Sequence, residues 1–321
     1  ELKQVVNELL VTPDGGFPLF LKNHDGNASD SKIFGERAKA LREQLIGCEG
    51  TFIGDSKLYS EENAKHLAAF KYVTRIPETI KVAKQLIAGA VESKAWQETE
   101  SGFFFQSFDL THYDIKQTWG VYYSEEGLGR AKKTMDRQAD REKEDIIKQL
   151  YHLQAQVFGC ENDAADAIKK IEKKWRWHKI SSVKIIEHKK FNGRGRPTKD
   201  QNPEMLQYKL QVEYESKEAE RQIAIMEKAC FIIGTNDKTK TPQLILSEYK
   251  SQNHVELGFR FLKDPHFFTS SFFLKKPERI DALIGVMSLA LLVYSVAQRR
   301  IRQSLAKTNE SLVDPVYGAT K

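Results

Sequence analysis

The stretch TFIGDSKLYSEENAKHLAAFKYVTRI, residues 51–76, decides the fold of this chain. Residues 51–54 form a short apolar run typical of a buried strand, and Asp55 stands where that strand should end. A helical pattern begins at Ser60, and the run YVTRI at 72–76 predicts a second strand. A strand, a helix and a further strand in this order indicate an α/β fold.

Two strands and a helix are predicted before this stretch. β-rich runs at 2–12 and 17–25 flank the turn residues PDGG at 13–16, which predicts a hairpin. Apolar residues then recur at helical spacing up to about Leu45. The predicted order of elements in residues 1–77 is therefore β-β-α-β-α-β.

The pattern of charged and apolar residues divides the chain into three segments. Residues 1–77 and 230–321 are predicted to form one core, and residues 78–229 an α+β insertion, because this middle segment is dominated by highly charged helical patterns followed by two strand-like runs. Within the insertion, the helical patterns lie at 125–158 and 163–174 and the strand-like runs at 183–187 and 207–214. After it, a further strand is predicted at 231–235 and one long helix from Pro242 to about residue 263.

Positive charge is concentrated in the insertion. The chain of 321 residues has a formal net charge of +6, and residues 168–200 alone hold twelve Lys or Arg against three acids, so the remainder is net acidic. Concentrated positive charge is typical of a surface that binds a polyanion such as a nucleic acid. The alternative interpretation is an ordinary solvated helix face followed by a loop.

Other sequence features exclude several classes of protein. Cys48, Cys160 and Cys230 have no C-x-x-C spacing, which argues against a disulfide scaffold or a structural zinc site and fits a reducing cytosol. The charge-free run at 282–294 is too short for a membrane span and predicts a buried core helix. No Walker-type loop occurs, so we expect no nucleotide cofactor.

The predicted helix around residue 256 carries polar residues on one face. Tyr249, Gln252, Glu256 and Lys263 fall within about 60° of one another on a helix of 3.6 residues per turn. They would form a row about 21 Å long at 1.5 Å per residue. Such a row is either a functional surface or the ordinary charged side of an amphipathic helix.

These residues resemble a family signature. The spacing Y-x2-Q-x3-E-x6-K is similar to the Y-x2-R-x3-E-x6-K signature of bacterial insertion-sequence DDE transposases, whose catalytic domain has a ribonuclease-H-like fold. Gln252 stands where the signature has Arg. Six segments resemble this family in the expected order: residues 25–36, 52–63, 72–79, 194–199, 249–265 and 273–295.

The resemblance implies a fold and a mechanism. The fold would be a ribonuclease-H-like mixed sheet with flanking helices, interrupted by the insertion. The family binds two divalent cations, usually Mg²⁺ with Mn²⁺ as a substitute, between three carboxylates, and these activate a water or a 3′-hydroxyl for attack on a phosphodiester. Asp55 matches the second acid and Glu256 the third, so both are expected to be catalytic metal ligands.

The same resemblance assigns DNA contacts to the helix. Tyr249, Gln252 and Lys263 would contact the phosphates beside the cleaved bond. Arg260 lies one turn after Glu256 and either adds to these contacts or pairs with a surface acid.

The first acid of the family has no match in this sequence. In the family it lies on a central first strand, and the chain begins with what matches the second strand. We therefore expect a C-terminal portion of a transposase that lacks the first strand and one ligand and is inactive alone. Residues 2–12 and 52–54 should then flank a gap or pair directly, and the carboxylates of Asp55 and Glu256 should lie roughly 4–8 Å apart if a metal pair fits between them.

The segment GRGRP at 193–197 contains the core of an AT-hook. Gly allows close approach to DNA, and Arg194 and Arg196 would enter the electronegative minor groove of A·T sequences. The alternative is a turn in a basic loop that touches phosphates without reading bases.

The sequence thus predicts a DNA transposase catalytic region that acts on paired transposon ends. Its partners would be double-stranded DNA, as terminal repeats and target, and a second copy of the chain in a homodimer, without a membrane. Its location would be the bacterial cytoplasm at the nucleoid. The alternative is a catalytically silent DNA-binding remnant of a decayed or split element.

Overall fold

The computed structural model describes residues 5–28, 33–37, 40, 50–68, 70–190, 205–264, 276–310, 312–314 and 318–320. The strands are β1 (Val5–Val11), β2 (Pro18–Asp25), β3 (Thr51–Gly54), β4 (Lys71–Ile76), β5 (Gln97–Glu98), β6 (Phe103–His112), β7 (Ile115–Ser124), β8 (His178–Lys190), β9 (Met205–Ser216), β10 (Phe231–Thr235), β11 (Leu312–Asp314) and β12 (Gly318–Thr320). The helices are α1 (Glu61–Leu67), α2 (Lys81–Ser93), α3 (Glu125–Ala155), α4 (Glu161–Glu172), α5 (Glu218–Ala229), α6 (Pro242–Lys250), α7 (Asn253–Leu262) and α8 (Pro277–Thr308). Residues 33–37 and 40 are also helical, and the rest of the helix predicted to reach Leu45 lies outside the described residues.

Six strands form one mixed sheet in the order β3-β4-β10-β7-β6-β5. β3 is parallel to β4, with Gly54 opposite Thr74, and β10 is antiparallel to β4, with Gly234 opposite the same threonine. α1 joins β3 to β4 and is capped by the hydroxyl of Ser60, which accepts a hydrogen bond from the amide of Asn63. This mixed sheet with flanking helices confirms the predicted fold class.

β1 and β2 form the predicted hairpin as a separate two-stranded sheet. Gly15 and Gly16 have φ angles of 90° and 69° in its turn, a conformation that other residues rarely adopt. Among the described strands, β1 pairs only with β2, so the expected alternative of direct pairing with β3 is wrong. The tight turn at residues 13–16 instead gives β1 the next strand along the chain, β2, as its antiparallel neighbour. The other alternative, a gap between the two strands, stays a prediction.

The β1–β2 hairpin packs against α7 and α8. Leu262 of α7 forms a buried cluster with Met287 and Leu291 of α8, and Leu9 and Leu21 of the hairpin pack against this cluster. The inner face of α8 is therefore fixed to the hairpin by apolar burial.

The outer face of α8 is apolar and exposed. Val286, Leu289 and Val293 are each more than 60% exposed. The buried core helix predicted for residues 282–294 is therefore wrong for this face, and only the inner face is buried. By length and composition alone α8 could cross a membrane, and 28% of its most apolar stretch is buried. A single helix of this kind does not indicate a membrane protein, because core helices pass the same test.

A groove of about 400 Å³ lies between β2 and α8. Six consecutive residues of β2 line one side, and residues one helical turn apart on α8 line the other. Asn23 Nδ2 donates to Asp281 Oδ1 at 2.7 Å across one end. Among the described strands only β1 pairs with β2, so within the described residues the opposite edge of β2 is open.

The chain divides into two compact units. The first consists of residues 1–84, 105–121 and 232–321, and the second of residues 85–104 and 122–231. The tip of the β6–β7 hairpin thus belongs to the first unit, although it lies inside the predicted insertion at 78–229. The three-segment division at 77/78 and 229/230 stays a prediction.

The second unit is built on the long helix α3. Side chains of α3 contribute to two separate buried clusters, one with α4 and β9 and one with α5. The ribbon of β8 and β9 pairs from His178 opposite Ser216 to Lys190 opposite Met205. The strand-like runs predicted at 183–187 and 207–214 are therefore confirmed and are longer than predicted.

The single long helix predicted from Pro242 to about residue 263 is wrong. The chain forms α6 and α7 with a turn at Ser251 and Gln252. Both turn residues keep right-handed helical angles, but the amide of Gln252 bonds to the carbonyl of Tyr249, three residues back instead of four. The hydroxyl of Ser251 donates to the carbonyl of Glu248 at 2.6 Å, a side-chain bond that competes with regular helix geometry.

We predict that Gly234→Ala destabilises the protein by about 1–3 kcal/mol, because it overpacks the core. A Cβ atom there would lie 2.7 Å from Ile76 Cδ1 and 2.9 Å from Trp119 Cδ1. Gly89→Ala in α2 is the matched control, since nothing lies within 4 Å of its Cβ position, and it should stabilise the helix by up to about 1 kcal/mol. Denaturant unfolding measures both changes, and equal effects of the two substitutions would contradict the packing described for β10.

Candidate active site

Asp55 is held by its own backbone at the carboxyl end of β3. Its carbonyl oxygen accepts hydrogen bonds from the hydroxyl of Thr74 at 2.9 Å and from the amide of Leu58 at 3.1 Å. Its carboxylate oxygen Oδ1 accepts a hydrogen bond from the amide of Lys57 at 2.9 Å. The residue is exposed, so these bonds orient a carboxylate that solvent reaches.

The loop after Asp55 packs closely on β3. A Cβ atom at Gly54 would lie 2.6 Å from Leu58 Cδ2, so only glycine allows the loop to approach this strand. Thr74, which binds the Asp55 carbonyl, is fully buried on β4. The position of Asp55 therefore follows from the β3–β4 pairing.

α6 brings Tyr249 back to Asp55. α6 begins at its N-cap Thr241, whose hydroxyl accepts from the amide of Leu244, and it contacts β4 and β3. Burial raises the pKa of the half-buried Tyr249 phenol, and the negative charges of Asp55 and Glu256 raise it further. The guanidinium of Arg75, which is hydrogen-bonded to the phenol, has the opposite effect. Charges shift a pKa over roughly 10 Å, so Asp55 and Glu256 both lie in the neighbourhood of this phenol, and Arg75 contacts it directly.

Glu256 lies in the first turn of α7 and is exposed. The partial positive charge at a helix N-terminus stabilises a carboxylate in this position.

The predicted DNA-binding residues other than Tyr249 differ in burial and in their contacts. The amide nitrogen Nε2 of Gln252 is buried and has no hydrogen-bond partner among the described residues. Such a donor is costly, and a ligand or a small side-chain movement would satisfy it. Lys263 is exposed at the C-cap of α7, with its ammonium 5.6 Å from the centre of the Phe259 ring, and Arg260 is exposed. Arg194 and Arg196 lie outside the described residues.

Arg75 is a site residue that the sequence analysis did not single out. It lies on β4 next to Thr74, donates to Glu78 Oε1 at 3.0 Å and bonds to the Tyr249 phenol. The sequence does mark this position, because Arg75 is the only charged residue in the predicted strand YVTRI at 72–76.

Asp55 and Glu256 are the candidate ligands for a divalent cation. Mg²⁺ is commonly held by one or two carboxylates together with substrate phosphates and water. Asp55 and Glu256 are exposed oxygen donors around one phenol, and this donor set fits Mg²⁺. Within the described part of the chain no group of three or more acidic, His or Cys residues could hold a metal ion.

Comparison with known protein families gives the class of this protein. The model of the family described as transposase DDE domain matches residues 5–293, which is most of the chain. The chain belongs to the DDE transposase family, and the resemblance seen in its sequence is confirmed at this level. Neither the curated proteins nor the solved structures contain a match. Membership in the subgroup with the Y-x2-R-x3-E-x6-K signature stays a prediction.

We predict that Asp55→Asn lowers the pKa of Tyr249, because a negative charge that disfavours the phenolate is removed. Arg75→Gln should raise that pKa further above its ordinary value, because a positive charge is removed. Tyrosine resonances of isotope-labelled protein, with Tyr249→Phe for assignment, report the titration. Asp145→Asn on α3 removes an exposed carboxylate and is the control. A Tyr249 titration that responds to neither Asp55→Asn nor Arg75→Gln would contradict the arrangement around the phenol.

Proposed function

We propose that this protein carries out metal-dependent phosphodiester hydrolysis and strand transfer at transposon ends, the chemistry of a nuclease and strand transferase. One observation above all supports the proposal. Asp55 and Glu256 are far apart in the sequence, and both act on the phenol of Tyr249 together with Arg75. The two carboxylates are exposed, and Tyr249 and Arg75 lie at the same end of the β3–β4 pair. This set of groups suits the binding and cleavage of a phosphodiester.

Asp55 and Glu256 would hold Mg²⁺, or Mn²⁺ in its place. A bound divalent cation supplies charge neutralisation of the phosphate oxygens and a nucleophilic water or 3′-hydroxyl at neutral pH. The Lys57 amide keeps one oxygen of Asp55 occupied, which leaves the second oxygen for a ligand. Two cations need more ligands than these two carboxylates, and DNA phosphates and water would supply others.

The remaining residues of the site would hold DNA. Arg260 on α7 and Lys263 at its C-cap are exposed cations suited to phosphate contacts. Gln252 offers its amide nitrogen Nε2, which has no partner among the described residues. Tyr249 is protonated at neutral pH, as any tyrosine with its ordinary or a raised pKa is, so its hydroxyl can donate to a phosphate oxygen. Arg75 would keep that hydroxyl in place.

The ribbon of β8 and β9 would extend the DNA contacts. It carries several lysines and leads into the basic segment that contains Arg194 and Arg196. Partners would be double-stranded DNA, as terminal repeats and as target, and a second copy of the chain in the active complex. The protein would work in the bacterial cytoplasm at the nucleoid.

A second candidate function is that of a catalytically silent DNA-binding protein. It is favoured by one observation: the described residues contain no group of three metal-binding side chains. Metal binding separates the two candidates, since only the first requires it.

We predict that the full chain binds Mn²⁺ and that Asp55→Asn and Glu256→Gln each weaken this binding by about tenfold or more, because each removes an anionic ligand. Electron paramagnetic resonance of free Mn²⁺ measures the affinity. Asp166→Asn, an exposed acid on α4, should leave it unchanged. Equal affinity of the wild type and both site variants would refute the proposed ligands.

We predict that Arg194→Ala combined with Arg196→Ala weakens binding to A·T-rich duplex DNA and reduces the dependence of log affinity on log salt by about 2, since two phosphate-neutralising charges are lost. The control removes two exposed arginines of α3, Arg130 and Arg137, and changes the net charge equally. Fluorescence anisotropy at several salt concentrations measures both. If the control pair reduces the slope as much as the test pair, the basic segment has no special role.

A further inference from the structure

The hydroxyl of Tyr59 lies at the centre of a network that joins the loop after β3 to the β6–β7 hairpin. It donates to Gln117 Oε1 at 3.1 Å, and its oxygen lies 2.8 Å from Nδ1 of His112. Gln117 Oε1 also accepts from Trp119 Nε1 at 2.8 Å, and Gln117 Nε2 donates to the carbonyl of His112 at 2.9 Å. With the Tyr59 hydrogen directed at Gln117, the phenol oxygen accepts from His112 in the tautomer that carries hydrogen on Nδ1.

This network is buried. Gln117 and Trp119 are 0% exposed, and Tyr59 is 4% exposed. Burial raises the pKa of Tyr59 and lowers that of His112, so both groups are neutral near neutral pH. Hydrogen bonds require a distance and a direction, and a buried polar network therefore fixes its members more narrowly than apolar packing would.

One tight loop connects Tyr59 to Asp55. The amide of Tyr59 donates to the carbonyl of Ser56 at 3.3 Å, and the amide of Leu58 donates to the carbonyl of Asp55 at 3.1 Å. Immediately after Tyr59, Ser60 caps α1. The loop between Asp55 and Tyr59 is short and closed by these hydrogen bonds. A displaced Tyr59 ring would therefore either move Asp55 or break these bonds.

The tip of the hairpin is shaped around the same residues. Tyr113 and Asp114 form a two-residue turn with φ angles of 54° and 62°, a geometry that Gly, Asn and Asp adopt most readily and that strains Tyr113. The Tyr113 ring lies 4.0 Å from the His112 ring and 5.7 Å from the Tyr59 ring, measured between centroids. The aromatic contacts with His112 and Tyr59 thus accompany the strained turn and hold it.

We infer that Tyr59 is a positioning residue for Asp55: the β6–β7 hairpin, through Gln117 and His112, holds the loop that presents this carboxylate. The inference rests on the proposed function, because it assigns a further residue to the same site. Tyr59 touches neither metal nor DNA in this role and acts only through the loop.

Amide hydrogen exchange of the full chain, followed by NMR, tests this role. In Tyr59→Phe the amides of Lys57 and Leu58 should exchange about tenfold faster, the change expected when a hydrogen bond of ordinary net strength is lost. The amide of Ala64, bonded to Ser60 within α1, should keep its rate. Tyr151→Phe on α3 removes the same atom from a side chain that is 73% exposed and is the matched control.

His112 provides a second test that leaves the Tyr59 hydroxyl in place. His112→Asn keeps a side-chain N–H near the position of Nδ1 and should preserve slow exchange at Lys57 and Leu58. His112→Leu removes that donor and should accelerate exchange at both amides. If Tyr59→Phe and His112→Leu lower the Tm while both loop amides exchange as in the wild type, Tyr59 contributes only to stability and the inference is wrong.

A Mn²⁺ titration separates this inference from the proposed function. Tyr59→Phe should weaken Mn²⁺ binding by about tenfold, since residues that orient a metal ligand have effects of this size. If the wild-type chain binds no Mn²⁺, the proposed metal site fails. The exchange rates of Lys57 and Leu58 still decide in that case whether Tyr59 positions Asp55.

Discussion

The antiparallel pairing of β10 with β4 determines where the later part of the chain can meet Asp55. Because β3 and β4 are parallel, Asp55 lies at the end of the sheet where β4 also ends. β10 runs in the opposite direction and leaves the sheet at the other end, with Thr235 opposite Val73. α6 must therefore run back along β4, and its last turn brings Tyr249 to Asp55 and Arg75. Without the return of α6 along β4, Tyr249 and Glu256 would lie at the end of the sheet away from Asp55.

Local patterns account for the parts of the fold that the sequence predicted correctly. The turn PDGG contains two glycines that adopt positive φ, and Ser60 acts as the N-cap of α1, so both signals have a direct physical cause. The strand before Asp55 is a short apolar run that is half-buried at the edge of the sheet, and the next strand is buried over most of its length. Asp55 could be chosen as a site residue for the same reason, since a carboxylate directly after a buried strand lies at a sheet edge.

Features that leave no distinctive pattern in the sequence were not predicted. The break between α6 and α7 is one example, because the residues around Ser251 do not exclude a helix and the bond from its hydroxyl to Glu248 decides the geometry. The return of β6 and β7 to the sheet is another, since strand pairing across a long connection leaves no local signal. Arg75 was missed because its role requires Tyr249, which follows some hundred and seventy positions later.

The open edge of β2 has a consequence for the behaviour of the chain in concentrated solution. A strand whose outer edge is uncovered is a template on which further chains can stack and aggregate. Pro18 lacks the N–H that such stacking would use, and Lys22 is an exposed charge that an incoming strand would have to desolvate. These two residues make β2 a poor seed for fibril growth, and so the groove beside α8 can remain open at little risk to solubility.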